Sequence, residues 1–346
     1  MTNSLSLKSL GWRPFFQQQL TLQEFEEYLP ARIVEQHKSI ILVATEETVL
    51  SLECHHSMPA LVVGDWILLD KENRFVRLLY RDTCFKCKAA GETLDWQLIS
   101  TNVDTAFILS SANEDFNLSR IERYLALVHE AGAEPVVLLS KSDLTTDPED
   151  YLVRLRELDR HLSVEALNCL DSNSVEKLRP WLKEGKTIAV LGSSGVGKST
   201  LVNTLMGEQR QETAGIREDD AKGRHTTTRR SLIAMPQGGL ILDTPGMREI
   251  QLAESSEGIA RTFADIEALA KRCRYKDCQH QSEPDCAVKY TVASGDLEQR
   301  RLDNYLKLVR EEAINSASFS ERCAKDKALG KFYKRTMSDA LKLKGR

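Results

Sequence analysis

Residues 192–199 read GSSGVGKS and fit the pattern G-x-x-x-x-G-K-[ST] at every fixed position. The apolar run 187–191 predicts a strand before this stretch, and the spacing of residues 198–206 predicts a helix after it. Glycines allow such a loop to curl until successive backbone N–H groups point at phosphate oxygens. The stretch therefore predicts a phosphate-binding loop (P-loop) at a helix N-terminus. The residues expected to bind the nucleotide phosphates are Gly192, Ser193, Ser194, Gly195, Val196, Gly197, Lys198, Ser199 and Thr200.

Charged and hydroxyl side chains around this loop predict that it binds a nucleoside triphosphate with Mg²⁺. Lys198 is expected to contact the β- and γ-phosphates, and Ser199 to offer its hydroxyl to Mg²⁺. A second motif, DTPG at 243–246, follows the apolar strand 239–242. Asp243 is therefore expected in the Mg²⁺ shell, and the Gly246 amide at the γ-phosphate.

The segment GRHTTT at 223–228 lies between these two motifs and predicts a switch loop. Such a loop needs a threonine that coordinates Mg²⁺ and touches the γ-phosphate. Thr227 is the residue we assign, while Thr226 and Thr228 stay open as alternatives. The residue after Gly246 is Met247, which cannot orient water as the glutamine of Ras-type enzymes does. His225 is the best local candidate for that catalytic role, although a loop histidine is also commonly a surface residue.

The base-binding side is predicted by the sequence SKSD at 140–143, which follows the apolar strand 135–139. Asp143 would accept hydrogen bonds from guanine N1 and N2, and Lys141 would lie along the base, with Ser142 between them. Adenine has no such pair of donors, so this motif predicts GTP over ATP. Ser140 stands where asparagine is usual and is shorter, which leaves its support of the P-loop uncertain.

The order of these motifs is unusual, since the base motif precedes the P-loop by about 50 residues. The same sheet can form from a circularly permuted chain, because the termini of compact domains often lie close together. Permutation makes the segment at Gly246 lead directly into the C-terminal part of the chain. A second base-side loop, at Asn168 and Cys169, is only weakly marked.

The succession of predicted strands and helices indicates a multidomain α/β protein. Residues 1–30 read as an N-terminal extension, and the short β-rich runs of 31–100 predict an OB-type β-barrel. Residues 101–252 alternate strands and helices, which predicts a doubly wound, mostly parallel sheet. Residues 253–346 predict a helical domain with a basic tail. Beyond the P-loop helix, helices are predicted at 22–28, 118–131, 151–162, 175–182, 259–270 and 295–313.

Composition is that of an ordinary soluble protein, with 346 residues, 41% hydrophobic residues and a net charge of −4. No apolar run approaches the length of a membrane span, and the N-terminus does not resemble a secretory signal. These features predict a cytoplasmic protein without membrane contact. The last 26 residues carry an excess of six positive charges, which suits phosphate contacts but also fits a solvated tail.

Four potential metal ligands lie in one short segment, at Cys273, Cys278, His280 and Cys286. Three thiolates and one imidazole suit tetrahedral Zn²⁺, and a closed set of four protein ligands predicts a structural site.

A second metal site is a weaker hypothesis. It would combine Cys84 and Cys87 with Cys54, His55 and His56, if the strands brought them together. Ordinary cysteines of the barrel are the alternative.

The β-barrel, the permuted motifs GSSGVGKST, GRHTTT and DTPG, and the cysteine-rich segment together resemble the RsgA family of small-ribosomal-subunit biogenesis GTPases. The resemblance runs from about residue 31 onward. It implies an OB barrel, a permuted GTPase domain and a zinc domain, with Mg²⁺ accompanying GTP. It also implies a hydrophobic residue at Met247 and a catalytic role for His225. Ser140, the N-terminal extension and the pair Cys84 and Cys87 depart from the family and leave a diverged paralogue open.

Three functions follow from this interpretation. The first is a monomeric GTP hydrolase that binds the 30S subunit and its 16S rRNA in the GTP state and leaves after stimulated hydrolysis. The second is a nucleotide-gated RNA-binding assembly factor with negligible turnover. The third is a GTPase that acts on another RNA.

Overall fold

A computed structural model describes residues 6–37, 39–88, 96–207, 230–243 and 255–316 of the chain. Up to residue 101, the described residues form two short helices and seven strands. Their bounds are α1 (Pro14–Gln17), α2 (Leu22–Glu27), β1 (Leu29–Gln36), β2 (Ile40–Ala44), β3 (Val49–Glu53), β4 (Trp66–Leu69), β5 (Phe75–Leu78), β6 (Cys84–Lys88) and β7 (Trp96–Thr101).

Strands β1 to β5 form an antiparallel sheet in the order β3-β2-β1-β4-β5. Their inward residues, among them Ile33, Val43 and Ile67, are fully buried. Strands β6 and β7 form a separate two-stranded hairpin. The four pairings among strands β1 to β5 are all antiparallel. Within the described part of the chain no ladder joins β3 to β5, so the pairings observed form a sheet and not a closed barrel.

The predicted extension packs on this sheet. Leu10 and Phe16 are buried against Trp66, whose ring lies 5.7 Å from that of Phe16. Arg13 forms an ion pair with Asp104 at 2.9 Å, just ahead of the next strand. The N-terminal segment therefore joins the β-rich part of the chain to the part that follows.

The central part of the chain alternates strands and helices as the sequence predicts. Strand β8 is buried along its whole length, which fits an interior strand covered on both faces. The elements are β8 (Thr105–Ser111), α3 (Leu118–Ala131), β9 (Glu134–Ser140), α4 (Pro148–Arg156), β10 (Ser163–Ala166), α5 (Ser172–Val175), β11 (Thr187–Gly192), α6 (Lys198–Met206), β12 (Arg230–Ala234) and β13 (Leu240–Asp243).

These strands lie in the order β10-β9-β8-β11-β13-β12. The first five are mutually parallel, and β12 runs antiparallel to β13. Strand β12 also pairs with β1, with Glu35 opposite Ser231, so one mixed sheet continues into the β-rich part. The strand that ends in the P-loop, β11, is central, with β8 and β13 on either side.

Three of the predicted helices differ from those observed. The helix predicted at 151–162 ends at Arg156, before β10, and the one predicted at 175–182 is reduced to α5 and a 3₁₀ turn at Glu176–Leu178. The helix predicted at 259–270 is two helices, because Phe263 leaves helical geometry with ψ 39°. The C-terminal elements are α7 (Ser256–Thr262), α8 (Ala264–Ala270), α9 (Ala287–Ala293) and α10 (Gln299–Ser316).

Helix α7 lies directly against α3. A Cβ atom at Gly258 would lie 2.0 Å from the carbonyl oxygen of Ala126, so this approach requires glycine. The Gly258 amide also donates to Glu130 Oε2 at 2.9 Å. In the described residues no helix is long and apolar enough to span a bilayer.

A buried ion-pair network joins α3 to α10. The carboxylate of Glu122 is fully buried and accepts from Arg301 at 2.8 Å, Arg300 at 3.0 Å and Asn304 at 2.5 Å. Arg301 also bonds Asp265 of α8 at 2.8 Å. Buried charges are tolerated only when they are paired and hydrogen-bonded. Removing one partner of this contact between α3 and the C-terminal helices would therefore strongly destabilise the fold.

Replacing the central carboxylate should therefore destabilise the protein. We expect Glu122→Gln to lower the free energy of unfolding by about 2–4 kcal/mol, since it leaves the buried guanidinium group of Arg301 and the partly exposed one of Arg300 with less negative charge. Urea unfolding at neutral pH measures this. Glu149→Gln is the control, because the exposed pair Glu149–Arg156 should contribute less than about 1 kcal/mol. Equal losses in the two variants would contradict the account.

Candidate functional site

The carboxyl ends of the parallel strands gather the predicted nucleotide residues at one edge of the sheet. Gly192 at the end of β11 is level with Leu109 of β8, and Ser140 at the end of β9 is level with Ser111. Asp243 ends β13 on the other side of β11. Ligands of open α/β sheets bind outside this edge. The P-loop, the base motif and Asp243, the first residue of DTPG, are thus neighbours despite their reversed order in the chain.

The P-loop has the backbone that its glycines predict. Gly192 and Gly197 have φ values of 143° and 99°, which residues with a Cβ rarely adopt. A Cβ at Gly192 would also lie 2.6 Å from the carbonyl oxygen of Leu109. Ser194 and Gly195 are exposed at the tip, whereas Ser199 and Thr200 are half-buried in the first turn of α6 and Val196 is buried beneath the loop.

Lys198 lies against the first two residues of the loop. Its ammonium group donates to the carbonyl of Gly192 at 2.7 Å and also to the carbonyl of Ser193. The N-terminus of α6 adds partial positive charge at the same place. The loop therefore combines amide donors, a helix dipole and a cation, which is the requirement for binding an oligophosphate.

Ser140 links the base motif to the P-loop. Its hydroxyl is fully buried and donates to the carbonyl of Val196 at 2.6 Å, with the carbonyl of Ser110 at 3.3 Å. The shorter side chain at this position therefore does reach the P-loop. Lys141 follows with φ 56°, and Ser142 and Asp143 form a 3₁₀ turn in which Asp143 is exposed towards solvent.

The weakly marked second base-side loop also lies at this edge. The amide of Ser142 donates to the carbonyl of Leu167 at 3.3 Å, and the Thr204 hydroxyl of α6 donates to the carbonyl of Cys169 at 2.6 Å. Burial, together with the nearby Asp143 carboxylate, raises the pKa of the Cys169 thiol to about 11. Cys169 is therefore an uncharged, buried thiol beside the base motif rather than a reactive thiolate.

One ion pair at the P-loop, between Asp115 and Arg120, is not predicted by the sequence motifs. The Asp115 carboxylate accepts from the Ser193 hydroxyl at 2.9 Å, and Arg120 donates to the same hydroxyl and to Asp115, each at 2.8 Å. Hydrogen bonds from Arg120 and Ser193, with the charge of Lys141, hold the pKa of Asp115 below its usual range. One feature of the sequence could have indicated this ion pair: residues 112–117 come directly after a strand that flanks the P-loop strand.

Several predicted switch residues lie outside the residues that the structure describes. These are Thr226, Thr227, Thr228, His225, Gly246 and Met247, together with the basic tail from 317 onward.

The four predicted metal ligands come together in space. Their ligand atoms all lie within 4.8 Å of one another. His280 Nδ1 lies 3.7, 3.5 and 3.4 Å from the sulfur atoms of Cys273, Cys278 and Cys286, and the sulfurs of Cys273 and Cys286 are 3.9 Å apart. Tetrahedral Zn²⁺ with ordinary bond lengths requires about 3.8 Å between sulfurs and about 3.6 Å from sulfur to nitrogen. The donor set and its geometry therefore fit zinc, and the cluster can hold a metal.

The loop between α8 and α9 is built to present these ligands. His280 has φ 59°, and backbone amides of Glu283 itself, Gln279 and Gln281 lower the pKa of the Glu283 carboxyl to about 2. Burial opposes ionisation of the Cys273 thiol, but the amides of Val288 and Ala287 at the start of α9 lower its pKa overall. Thiolate is the form that binds metal.

The hypothesis of a second metal site fails. Cys54, Cys84, Cys87, His55 and His56 all belong to the described residues, and no group of three among them lies within ligand distance of one ion. Cys84 and Cys87 are half-buried on β6, and burial raises the pKa of both thiols. They are ordinary cysteines of a β-hairpin.

Comparison with known proteins identifies the family. The profile described as RsgA GTPase matches residues 78–253, about half of the chain. The chain is 54% identical over 346 residues to the small ribosomal subunit biogenesis GTPase RsgA 2 of Vibrio vulnificus (strain CMCP6), covering 99% of each. The chain belongs to the RsgA GTPase family. A second relative is the small ribosomal subunit biogenesis GTPase RsgA of Xanthomonas axonopodis pv. citri (strain 306), 43% identical over 337 residues, covering 93% of this chain and 92% of the relative.

The solved structure of YloQ, described as a circularly permuted GTPase, has the same fold. Its TM-score is 0.61 at 23% identity, over 86% of this chain and 99% of YloQ. The predicted permuted GTPase fold and the resemblance to the RsgA family are both confirmed. As a member of the RsgA family, the chain is a GTPase, as its motifs predict.

The bond from Ser140 to Val196 should matter for nucleotide affinity. We expect Ser140→Ala to weaken binding of fluorescently labelled GDP by about 5- to 10-fold, because a buried carbonyl of the P-loop loses its donor. Fluorescence titration measures the affinity. Ser163→Ala, on the edge strand β10, is the matched control. An affinity equal to that of the unaltered chain would show that Ser140 does not support the loop.

Removing one sulfur should empty the metal cluster. We expect the unaltered chain to carry about one zinc ion and Cys273→Ser to carry a small fraction of that, since four ligands close the site. Elemental analysis by mass spectrometry gives the ratio. Cys54→Ser, which removes an exposed thiol elsewhere, should leave the zinc content unchanged. Undiminished zinc in Cys273→Ser would exclude the cluster as the site.

Proposed function

We propose that this chain hydrolyses GTP during late maturation of the 30S ribosomal subunit. It binds the subunit and its 16S rRNA in the GTP state and leaves after hydrolysis that the subunit stimulates. The observation that carries this proposal is the 54% identity, over 346 residues, to a protein named a small ribosomal subunit biogenesis GTPase. Cytoplasmic location and a monomeric state belong to the same proposal.

The phosphate side of the site would be served by the P-loop residues 192–200. Lys198 would neutralise charge on the β- and γ-phosphates, since its ammonium group already lies on the loop. Ser199, in the first turn of α6 after the P-loop, and Asp243, the last residue of β13, would hold Mg²⁺. Mg²⁺, when bound, supplies neutralisation of the developing phosphate charge.

The base side would be served by residues 140–143. Asp143 would accept from guanine N1 and N2, and Lys141 would lie along the ring. The bond from Ser140 to Val196 supports this role, because it holds the base motif at a fixed distance from the P-loop. Guanine selectivity would follow from the unpaired carboxylate that any adenine nucleotide would leave.

Hydrolysis would depend on the switch segments. Thr227 would contact Mg²⁺ and the γ-phosphate, and the Gly246 amide would contact the γ-phosphate. With Met247 unable to orient water, His225 would take that role. Both switch segments border described strands, since β12 begins at Arg230 and β13 ends at Asp243.

The flanking parts of the chain would bind RNA. The antiparallel strands β1 to β5 would close into an OB barrel that stacks bases, and one structural zinc at Cys273, Cys278, His280 and Cys286 would shape the C-terminal domain. The basic tail would add phosphate contacts. The proposed units are residues 1–30, 31–100, 101–252 and 253–346.

A nucleotide-gated assembly factor with negligible turnover is the second candidate. Met247 favours it, because no glutamine follows the DTPG motif. Ser140, the other departure from the usual motifs, does not favour it, since its hydroxyl reaches the P-loop. Turnover separates the two candidates directly.

Subunit-dependent hydrolysis is the test of the proposal. We expect purified 30S subunits to raise the rate of GTP hydrolysis by at least about tenfold, and 50S subunits or tRNA to leave it unchanged; one group positioned for catalysis typically contributes about 10²–10⁴-fold. Phosphate release measures the rate. His225→Ala should lose most of the stimulated rate while keeping GTP affinity.

Three outcomes would contradict parts of this account. No stimulation by 30S would remove the enzyme function in favour of the occupancy function. Stimulation by another RNA instead would move the function to that RNA. An unchanged rate in His225→Ala would remove this histidine from the mechanism.

A further inference from the structure

The loop 112–117 occupies a central position in the nucleotide site. It leaves the carboxyl end of β8, between β11 with the P-loop and β9 with the base motif. Its Asp115 Oδ2 accepts from the Ser193 hydroxyl at 2.9 Å. A carboxylate is thereby bonded to the second residue of the P-loop, whose carbonyl also binds the Lys198 ammonium group.

Hydrogen bonds within the loop fix the position of this carboxylate. The Ser111 hydroxyl donates to Asn113 Oδ1 at 2.7 Å, and the Asp115 amide donates to the same oxygen at 3.0 Å. Asn117 caps α3 by accepting from the Arg120 amide at 3.0 Å. Asp115 and Arg120 are therefore held on either side of a helix start rather than on free-moving segments.

A carboxylate at this place needs neutralising. Nucleotide phosphates carry several negative charges, and a like charge beside the loop that binds them would repel them. Arg120 Nη1 donates to Asp115 Oδ1 at 2.8 Å, to Oδ2 at 3.0 Å and to the Ser193 hydroxyl at 2.8 Å. One nitrogen thus contacts all three oxygens. The pair is partly exposed, with 41% of the Asp115 side chain and 37% of the Arg120 side chain accessible.

We propose that Asp115 and Arg120 are a charge-balanced positioning pair for the nucleotide. Asp115 fixes the P-loop through Ser193, and Arg120 cancels the charge of that carboxylate so that it does not repel the phosphates. The triphosphate, which carries one more phosphoryl group than GDP, depends on this balance more than GDP does. This inference rests on the proposed function, because it deepens the role of the same site.

Charge balance predicts opposite effects for the two single substitutions. Arg120→Gln removes the cation bonded to the carboxylate, leaves only the charge of Lys141 nearby, and should weaken binding of a non-hydrolysable GTP analogue by about fivefold, as expected for one unit charge near the ligand. Asp115→Asn keeps an acceptor for Ser193 but leaves the guanidinium unpaired, and should strengthen binding by about two- to fivefold. The double variant Asp115→Asn with Arg120→Gln should return within about threefold of the unaltered chain.

Calorimetric titration of the full chain with the GTP analogue and with GDP, at about 50 mM and about 500 mM salt, tests this. The differences should be larger for the analogue than for GDP and should shrink in high salt, because salt screens exposed charges. Arg156→Gln is the matched control, since it breaks an exposed ion pair with Glu149 in the same part of the fold. It should leave both affinities unchanged.

Losses of similar size in both single variants and in the double variant would overturn the inference, because a purely structural brace behaves in that way. Losses that are equal for GDP and the analogue, or insensitive to salt, would overturn it too. Thermal unfolding of each variant checks that it folds; should Arg120→Gln fail to fold, the gain predicted for Asp115→Asn decides alone. If the unaltered chain binds no guanosine nucleotide, the proposed function fails instead.

Discussion

The hydrogen bond from the Ser140 hydroxyl to the Val196 carbonyl, 2.6 Å long, joins the two halves of the proposed nucleotide site. One half is the base motif at the end of β9 and the other is the P-loop at the end of β11. They are about 50 residues apart in the chain, in the reverse of the usual order. Strand β8 between them sets the spacing, since ladders on both of its edges fix the register. The remaining features of the site follow from this convergence of strand ends.

The same geometry connects the P-loop to the rest of the molecule. Helix α3 begins beside the P-loop, where Arg120 contacts Ser193, and carries Glu122 into the buried network with Arg300 and Arg301 of α10. On the opposite side, β12 pairs with β1, so the strand that follows the predicted switch loop is part of the sheet shared with the β-rich region. The metal-binding loop is held between α8 and α9 in the C-terminal helices. These contacts therefore connect the P-loop and its neighbouring strands to both flanks of the sheet.

The features that the sequence could predict are those carried by short, contiguous motifs. The P-loop, the base motif and the metal ligands are short patterns whose chemistry depends on local spacing, and the apolar strands gave the permuted sheet. The role of the Asp115–Arg120 pair was not predicted, because it depends on a contact with Ser193, which lies 78 residues from Asp115 in the chain. The break between α7 and α8 was missed because it depends on packing: Phe263 is fully buried, with its ring 5.5 Å from Tyr305 of α10. Tertiary contacts of this kind override helical periodicity.

Selectivity for the base tests most directly whether the base motif and the P-loop, in reversed order along the chain, form one pocket. Calorimetric titration of the unaltered chain, with Mg²⁺ present, should compare non-hydrolysable analogues of GTP and ATP under the same conditions. We expect one guanosine nucleotide per chain and an affinity for the adenosine analogue at least about a hundredfold lower, because adenine leaves a carboxylate without its donors. Equal affinities, or no binding of the guanosine analogue, would contradict it.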